Sequence, residues 1–369
     1  MASPQYIDIN SLLEPVSAES AVGSDIRLDG SVTSEYSRIR DARKGARAAE
    51  RSNIFDDDSS QADEHWRTVL QLAPDILKNQ AKDLEVASWY TEALVRRAGF
   101  QGLRDGFSLI RQMIEQYWDD IYPLPDEDGI ATRVAALTGL NGEGAEGVLI
   151  APMRSVPITQ EGAQGPYSYW QYKQALDAQR VTDEQGRADL ISKNGFSLDD
   201  IQAAVNQSEQ TFYVDLRDDV RDALDEYKRI SQLLDERCGI HDSPPASNII
   251  NTLSDILGAI THIAQLKLPQ AEEESVEDAD HPGDSGATAA SPGTTNGGPV
   301  KSRDEAFRQL AQISQFFRQT EPHSPISYVL EKAVRWGNMP LGDLIQELIP
   351  DSSSRSVFSS LTGVKVSDD

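Results

Sequence analysis

The residues with most capacity for chemistry crowd into EPHSPISYVLEKAVRW, 321–336, where Glu321, His323, Ser324 and Ser327 fall within seven positions. An acid, an imidazole and a hydroxyl make a catalytic set only when nucleophile and base are held within hydrogen-bond reach. The prolines give this stretch a simpler reading. Glu321 precedes Pro322 and so avoids the α region, which ends a helix. Ser324 is placed to N-cap the next helix, with Pro325 at its first position, where a missing N–H costs nothing. His323 is left to donate to the carbonyls of the first helix or to pair with Glu321. The stretch reads as a helix joint that another protein surface can contact.

No other motif supplies an active site. The five histidines (65, 241, 262, 281, 323) show no metal-binding spacing, and nucleophile-elbow, P-loop, dinucleotide and CxxC motifs are missing. Cys238, the single cysteine, has His241 three residues on, but Pro244 and Pro245 follow at once. It reads as the last turn of a helix, and a lone cysteine fits a reducing compartment. We therefore expect no catalytic residue, no cofactor and no metal. A hydrolase built from Asp, Glu and His would need convergent, perturbed acids, for which no spacing speaks.

The 369 residues carry a net charge of −26. Nucleic-acid binding requires Lys and Arg to displace phosphate counterions, so it is not expected. Attraction to an anionic membrane face is disfavoured for the same reason. There is no secretory signal at MASPQYIDIN and no run long enough to span a bilayer.

The elements that must position any contact are almost all helical. Trp66, Val69, Leu70 and Ala73 share one face of a helix over 63–79, with Asp63 as N-cap and Pro74 predicting a kink or split. Leu84, Ala87, Thr91, Leu94 and Val95 form the next stripe, closed by Gly99. Leu103, Phe107, Ile110, Ile114 and Tyr117 form another, stopping near Pro123, and a shorter helix runs from Arg133 to Leu140. Residues 148–170 break the pattern with Pro152, Pro157, Gly162, Gly165 and Pro166, which predicts an irregular or strand-like connection. Ser197 and Asp200 form a capping-box variant, followed by a short helix, a long one to Cys238, and another over 245–268.

Residues 269–300 hold seven acids and no Lys or Arg, then Gly, Ala, Ser, Thr and Pro. Such a segment cannot bury enough apolar surface to offset its ordering entropy and reads as a linker. Ser302 and Glu305 then open a small module. Leu310, Ile313 and Phe317 make a helix seam, with Phe307, Phe316, Tyr328 and Trp336 beyond what one face can bury. Residues 302–350 are few for an independent core. Self-association is the expected remedy, and docking on residues 198–268 is the alternative.

The chain resembles the TssA family of bacterial type VI secretion. INSLLEPVSAESAVGSDIR at 9–27 is similar to the opening of its ImpA-related domain. WRTVLQLAPDILKNQAKDLEVASWYTEAL carries a central signature with Trp66 and Lys82-Asp83-Leu84. GFQGLRDGFSLIRQMIEQYWDDIYPLPDEDG with Arg133, and VLIAPMRSVPIT, resemble later blocks, and SRDEAFRQLAQISQFFRQTEPHSPISYVLEKAVRW resembles the short C-terminal form.

Together these readings give a mainly all-α protein with a small strand-like segment. Its expected parts are an ImpA-related domain (1–175), a middle helical domain (176–268), a linker (269–301), a C-terminal module (302–350) and a tail (351–369). The resemblance implies a non-enzymatic, cytoplasmic scaffold of a Gram-negative secretion machine. It implies a ring formed through the C-terminal module, contacting baseplate, sheath and inner tube. A monomeric helical adaptor or chaperone is the competing reading. Oligomer or partner contacts are expected at Phe307, Leu310, Ile313, Phe316, Phe317, Glu321, His323, Ser324, Tyr328 and Trp336. Trp66, Lys82, Asp83, Trp118, Tyr122 and Arg133 form the N-terminal signature. Within it, Trp118 and Tyr122 are expected to lock a loop to the core, and Lys82 and Asp83 to cap the next helix and pair with a neighbour such as Arg133.

Overall fold

The computed structural model describes residues 2–52, 60–127, 129–162, 165–239, 241–268, 303–320, 326–337, 339, 344 and 347. The expected linker, the 351–369 tail, the Ser302 cap and the joint residues Glu321, His323 and Ser324 lie outside them. The fold is mainly α, in two compact units, Met1–Ser275 and Val276–Asp369.

In the first unit, α1 (Ile9–Leu13) and a 3-10 turn (Ile26–Leu28) precede α2 (Glu35–Ser52) and α3 (Ser60–Asn79). The longest element, α4 (Leu84–Tyr117), is two arms that fold back at Ala98 and Gly99, whose φ of +57° is left-handed. The arms lie so close that a Cβ on Gly106 would fall 2.6 Å from Thr91 Oγ1. Val86 to Val95 are buried without interruption, so the first arm is enclosed on every side rather than along one stripe.

That enclosure comes from both directions. α2 packs on α3 and α3 on α4. On the far side the second arm meets α10 (Gln210–Cys238), where Phe107 and Tyr227 rings lie 4.8 Å apart. Arg104 reaches Asp219 at 2.5 Å, and Asp219 in turn accepts from the backbone of Ser3. Burial raises the pKa of Asp219, a shift that Ser3 and Arg104 oppose. The expected separate 176–268 domain is therefore not seen: residues from α4, α10 and α11 (Ser247–Ile263) belong to one continuous core. The longest packing contact on α4 comes from a helix about a hundred residues downstream, which no local pattern announces.

Between them run α5 (Ile130–Asn141), α6 (Ile150–Ser155), α7 (Tyr169–Arg180), α8 (Glu184–Asn194) and α9 (Leu198–Gln207). The irregular segment contains a helix after all. Pro152 is the third residue of α6, in the first turn, where its missing N–H leaves no bond unmade. The strand character reduces to one bridge, Pro157 with Ser168, closed by Ile158 N–H donating to Tyr167 O at 2.8 Å. α3 runs through Pro74 without ending. The Ser197–Asp200 capping box forms as expected. Asn141, fully buried, docks α11: its side-chain oxygen accepts from Ile249 N at 3.0 Å, at the start of that helix.

The second unit shows α12 (Arg303–Thr320) packed on α13 (Ile326–Gly337).

Candidate functional site

Three of the signature residues, Lys82, Asp83 and Tyr122, meet at one strand-like segment, 80–84, between α3 and α4. Its backbone is gripped from two sides. Ser24 N donates to Gln80 O and Lys82 N to Val22 O, while Leu84 N donates to Tyr122 O and Tyr122 N to Lys82 O. Gly23, at φ +78°, lies where a Cβ would come within 1.9 Å of Gln80 O, so no other residue fits.

Lys82 is fully buried, and among the described residues no carboxylate pairs with its ammonium, although the charge of Glu14 acts on it. Nζ donates at 2.7 Å to Leu12 O and at 2.7 Å to Leu77 O. Both carbonyls lie in the last turns of helices, α1 and α3, where they lack intrahelical partners and carry the negative end of the dipole. Tyr117 Oη closes the neighbouring Leu13 O at 2.5 Å. Burial pushes the Lys82 pKa down to about 8. Asp83 caps α4 through the N–H groups of Glu85 and Val86, at 2.9 and 3.0 Å.

The partner of Asp83 is Arg27. Its guanidinium donates to Asp83 Oδ2 at 2.6 Å and to Glu85 Oε2 at 2.6 Å, and lies over the Tyr36 ring. Burial acts to lower the Arg27 pKa, but the Asp83 hydrogen bond and charge outweigh it and the net shift is upward. Tyr36, desolvated and beside Glu85, is pushed up to about 12. The expected pairing with Arg133 is corrected: Arg133 points elsewhere. It donates to Trp118 O at 2.7 Å and Pro123 O at 3.1 Å, and covers the Trp118 ring. These are carbonyls at and beyond the end of α4, and Arg133 serves there as a C-terminal cap. Burial lowers its pKa. Trp118 is buried and Tyr122 half-buried, held by its backbone bonds to 82 and 84.

Trp66 is also a core residue. Its Nε1 donates to Glu50 at 2.7 Å and Arg96 stacks on its ring at 4.1 Å. Sequence reasoning missed Arg27, Glu50 and Arg96. The GSDIR stretch held the signal: Gly for close approach, then an Asp that caps the 3-10 turn by accepting from Arg27 N.

The surface chemistry lies in the other unit. α12 and α13 are joined by a buried bond, Ser314 Oγ to Ser327 O at 2.8 Å, and by Arg318 to Glu331 at 2.9 Å. Leu310, Phe307, Phe317 and Trp336 are half-buried. Ile313 (44%), Tyr328 (59%) and Val329 (64%) stay open to solvent, as does Phe316, whose ring meets Phe317 edge-on. Arg318 covers the Tyr328 ring and Lys332 the Trp336 ring. Among the described residues no cluster of His, Cys, Asp or Glu could hold a metal, and no helix is long and apolar enough to cross a membrane.

The geometry shared by residues 13 to 142 has relatives. That stretch matches the family profile of the ImpA N-terminal domain of type VI secretion. Over 367 residues, covering 97% of this chain and 98% of the relative, it is 26% identical to the type VI secretion system component TssA1 of Pseudomonas aeruginosa.

The chain carries an ImpA N-terminal region and is similar to a TssA component over nearly its whole length.

The fold is also that of a solved structure. The N-terminal domain, including the conserved ImpA_N region, of the TssA component from Burkholderia cenocepacia superposes with a TM-score of 0.59 at 24% identity. The match covers 72% of this chain and 98% of that one. Within this ImpA-like region the Lys82–Asp83 pair is an internal clamp.

The clamp and the Arg133 cap lead to three expected outcomes. Lys82→Met leaves two helix-end carbonyls without a donor and should cost about 1–3 kcal/mol in urea unfolding. The folded pKa of about 8 lies below the ordinary 10.5. The unfolded chain therefore binds more protons between those values, and the native protein gains stability as pH rises through that window. Lys82→Met should lack that gain. Arg133→Ala should lower stability by about 1–3 kcal/mol while leaving the solution mass unchanged; an unaltered melting temperature would contradict the capping role.

Proposed function

We propose that this protein is a non-enzymatic, cytoplasmic assembly component of a type VI secretion system. It self-associates into a ring through α12 and α13 and holds its helical N-terminal units around that ring. From there it contacts baseplate, sheath and inner-tube proteins to promote tail assembly. The observation that carries the reading is the exposure of Ile313, Tyr328 and Val329 on α12 and α13. A small helical module buries little apolar surface on its own, and a second copy is the nearest supply of matching surface. The component name of the 26%-identical relative supports the setting. The competing reading, a monomeric adaptor, leaves the exposure of these residues without a role.

Light scattering on the full chain tests this. The native protein should be a discrete oligomer, and Ile313→Asp with Val329→Asp should reduce it to monomers with the N-terminal melting transition unchanged. A monomeric native chain, or an oligomer untouched by the two substitutions, would contradict the ring.

A further inference from the structure

A chain with a net charge of −26 carries one concentrated basic face. Arg40, Arg43, Lys44, Arg47 and Arg51 of α2 step by three and four, which places all five on one side of the helix. The opposite side, Ile39, Ala42, Ala46 and Ala49, is buried. Among the described residues two of the cations have carboxylate partners. Arg43 reaches the buried Glu92 at 2.5 Å, and Arg40 meets Asp41 loosely at 3.5 Å in solvent. Lys44, Arg47 and Arg51 have no ion pair among the described residues. Like charges at these spacings destabilise a helix; the buried Glu92 accounts for Arg43 and acts on Arg47, but no described carboxylate accounts for Lys44 or Arg51. Burial lowers the Arg47 pKa; Glu92 opposes this, and Arg43, Arg51 and Arg96 add repulsion.

An apolar groove adjoins this face. It has a volume of about 660 Å³ and runs between the turn of α4 and α6, lined by Val95, Gly99, Pro152 and Val156. Arg96 and Glu50 lie on its rim, and they bond to each other at 2.5 Å, linking the groove to α2.

We propose that the basic face of α2 and the adjoining groove form a docking site for an acidic segment of another protein, one that carries an apolar anchor side chain. The acids would meet Lys44, Arg47 and Arg51, and the anchor would enter the groove. From Arg40 to Arg51 the face extends roughly 16 Å at 1.5 Å per residue, the length of about five extended residues or three helical turns. Charge complementarity selects an acidic partner, and the strongly negative remainder of the molecule selects a short one. A long polyanion such as nucleic acid, or an anionic bilayer, projects beyond the patch and meets repulsion within a Debye length of roughly 8 Å. The site lies entirely in the first unit and does not depend on ring formation.

The test is fluorescence anisotropy on the full chain, with a labelled peptide of about ten residues rich in glutamate and containing leucine and phenylalanine. Saturable binding should weaken at least about tenfold between low and roughly 300 mM salt. It should weaken at least about tenfold in Lys44→Glu with Arg51→Glu, both exposed and outside the core. Ala151→Glu, on the groove wall, should weaken it too, and a glutamine version of the peptide should not bind. Absence of binding, or binding unaffected by these changes, would overturn the proposal. So would equally strong competition by a short oligothymidylate or by phosphatidylglycerol vesicles. Asp56, Asp57 and Asp58 follow α2 in the sequence. Binding that appears only when all three are replaced by Asn would assign the face to the chain's own segment, and would also overturn it.

Discussion

A buried lysine held by two helix-end carbonyls rather than a salt bridge sets the geometry of the first unit. Lys82 exchanges the hydration of its ammonium for two carbonyls at the ends of two helices, α1 and α3. Burying a charge is tolerated only with such compensation. The next residue, Asp83, is tied in the opposite sense, to backbone N–H groups at the start of α4 and to Arg27. Two adjacent side chains of opposite charge thus fasten three helix ends and the N-terminal turn to one short segment. With 80–84 fixed, the first arm of α4 starts in one direction, and α2 and α3 can close around it.

The second constraint is the turn inside α4. Folding back at Gly99 presents one arm to α2 and α3 and the other to α10. Each interface then carries charged groups that lock its register: Arg43 with Glu92 on one side, Arg104 with Asp219 and Arg111 with Glu226 on the other. Removing one partner of such a half-buried pair leaves a stranded charge, so these pairs specify the packing even where they add little net stability.

Most helices were legible because periodicity and capping are local. The Gly99 break, the capping box at Ser197 and the Asp83 cap all follow from residues within a few positions of one another. What could not be read depended on distance along the chain. Arg27 and Asp83 are separated by 56 residues, α4 and α10 by about a hundred, and neither approach leaves a mark in local pattern. The α6 helix was hidden by its prolines, since Pro152 reads as a breaker unless it is known to stand in a first turn. The charge on Arg133 invited a carboxylate partner, whereas its burial among the carbonyls after α4 made it a cap. Among the surface candidates, the apolar excess in α12 and α13 was visible in composition. The basic face of α2 was masked by the overall acidity.

These features divide the molecule by task. The signature residues hold the first unit together from inside, whereas α12 and α13 present Ile313, Phe316, Tyr328 and Val329 side by side to solvent on two short helices. We propose that self-association belongs to the second unit alone. The most direct measurement is the mass and melting curve, by light scattering and circular dichroism, of a chain ending at Leu268 beside the full chain. The account predicts a folded monomer with a single cooperative transition, against an oligomer for the full chain. An oligomeric truncated chain, or one that fails to fold, would contradict it.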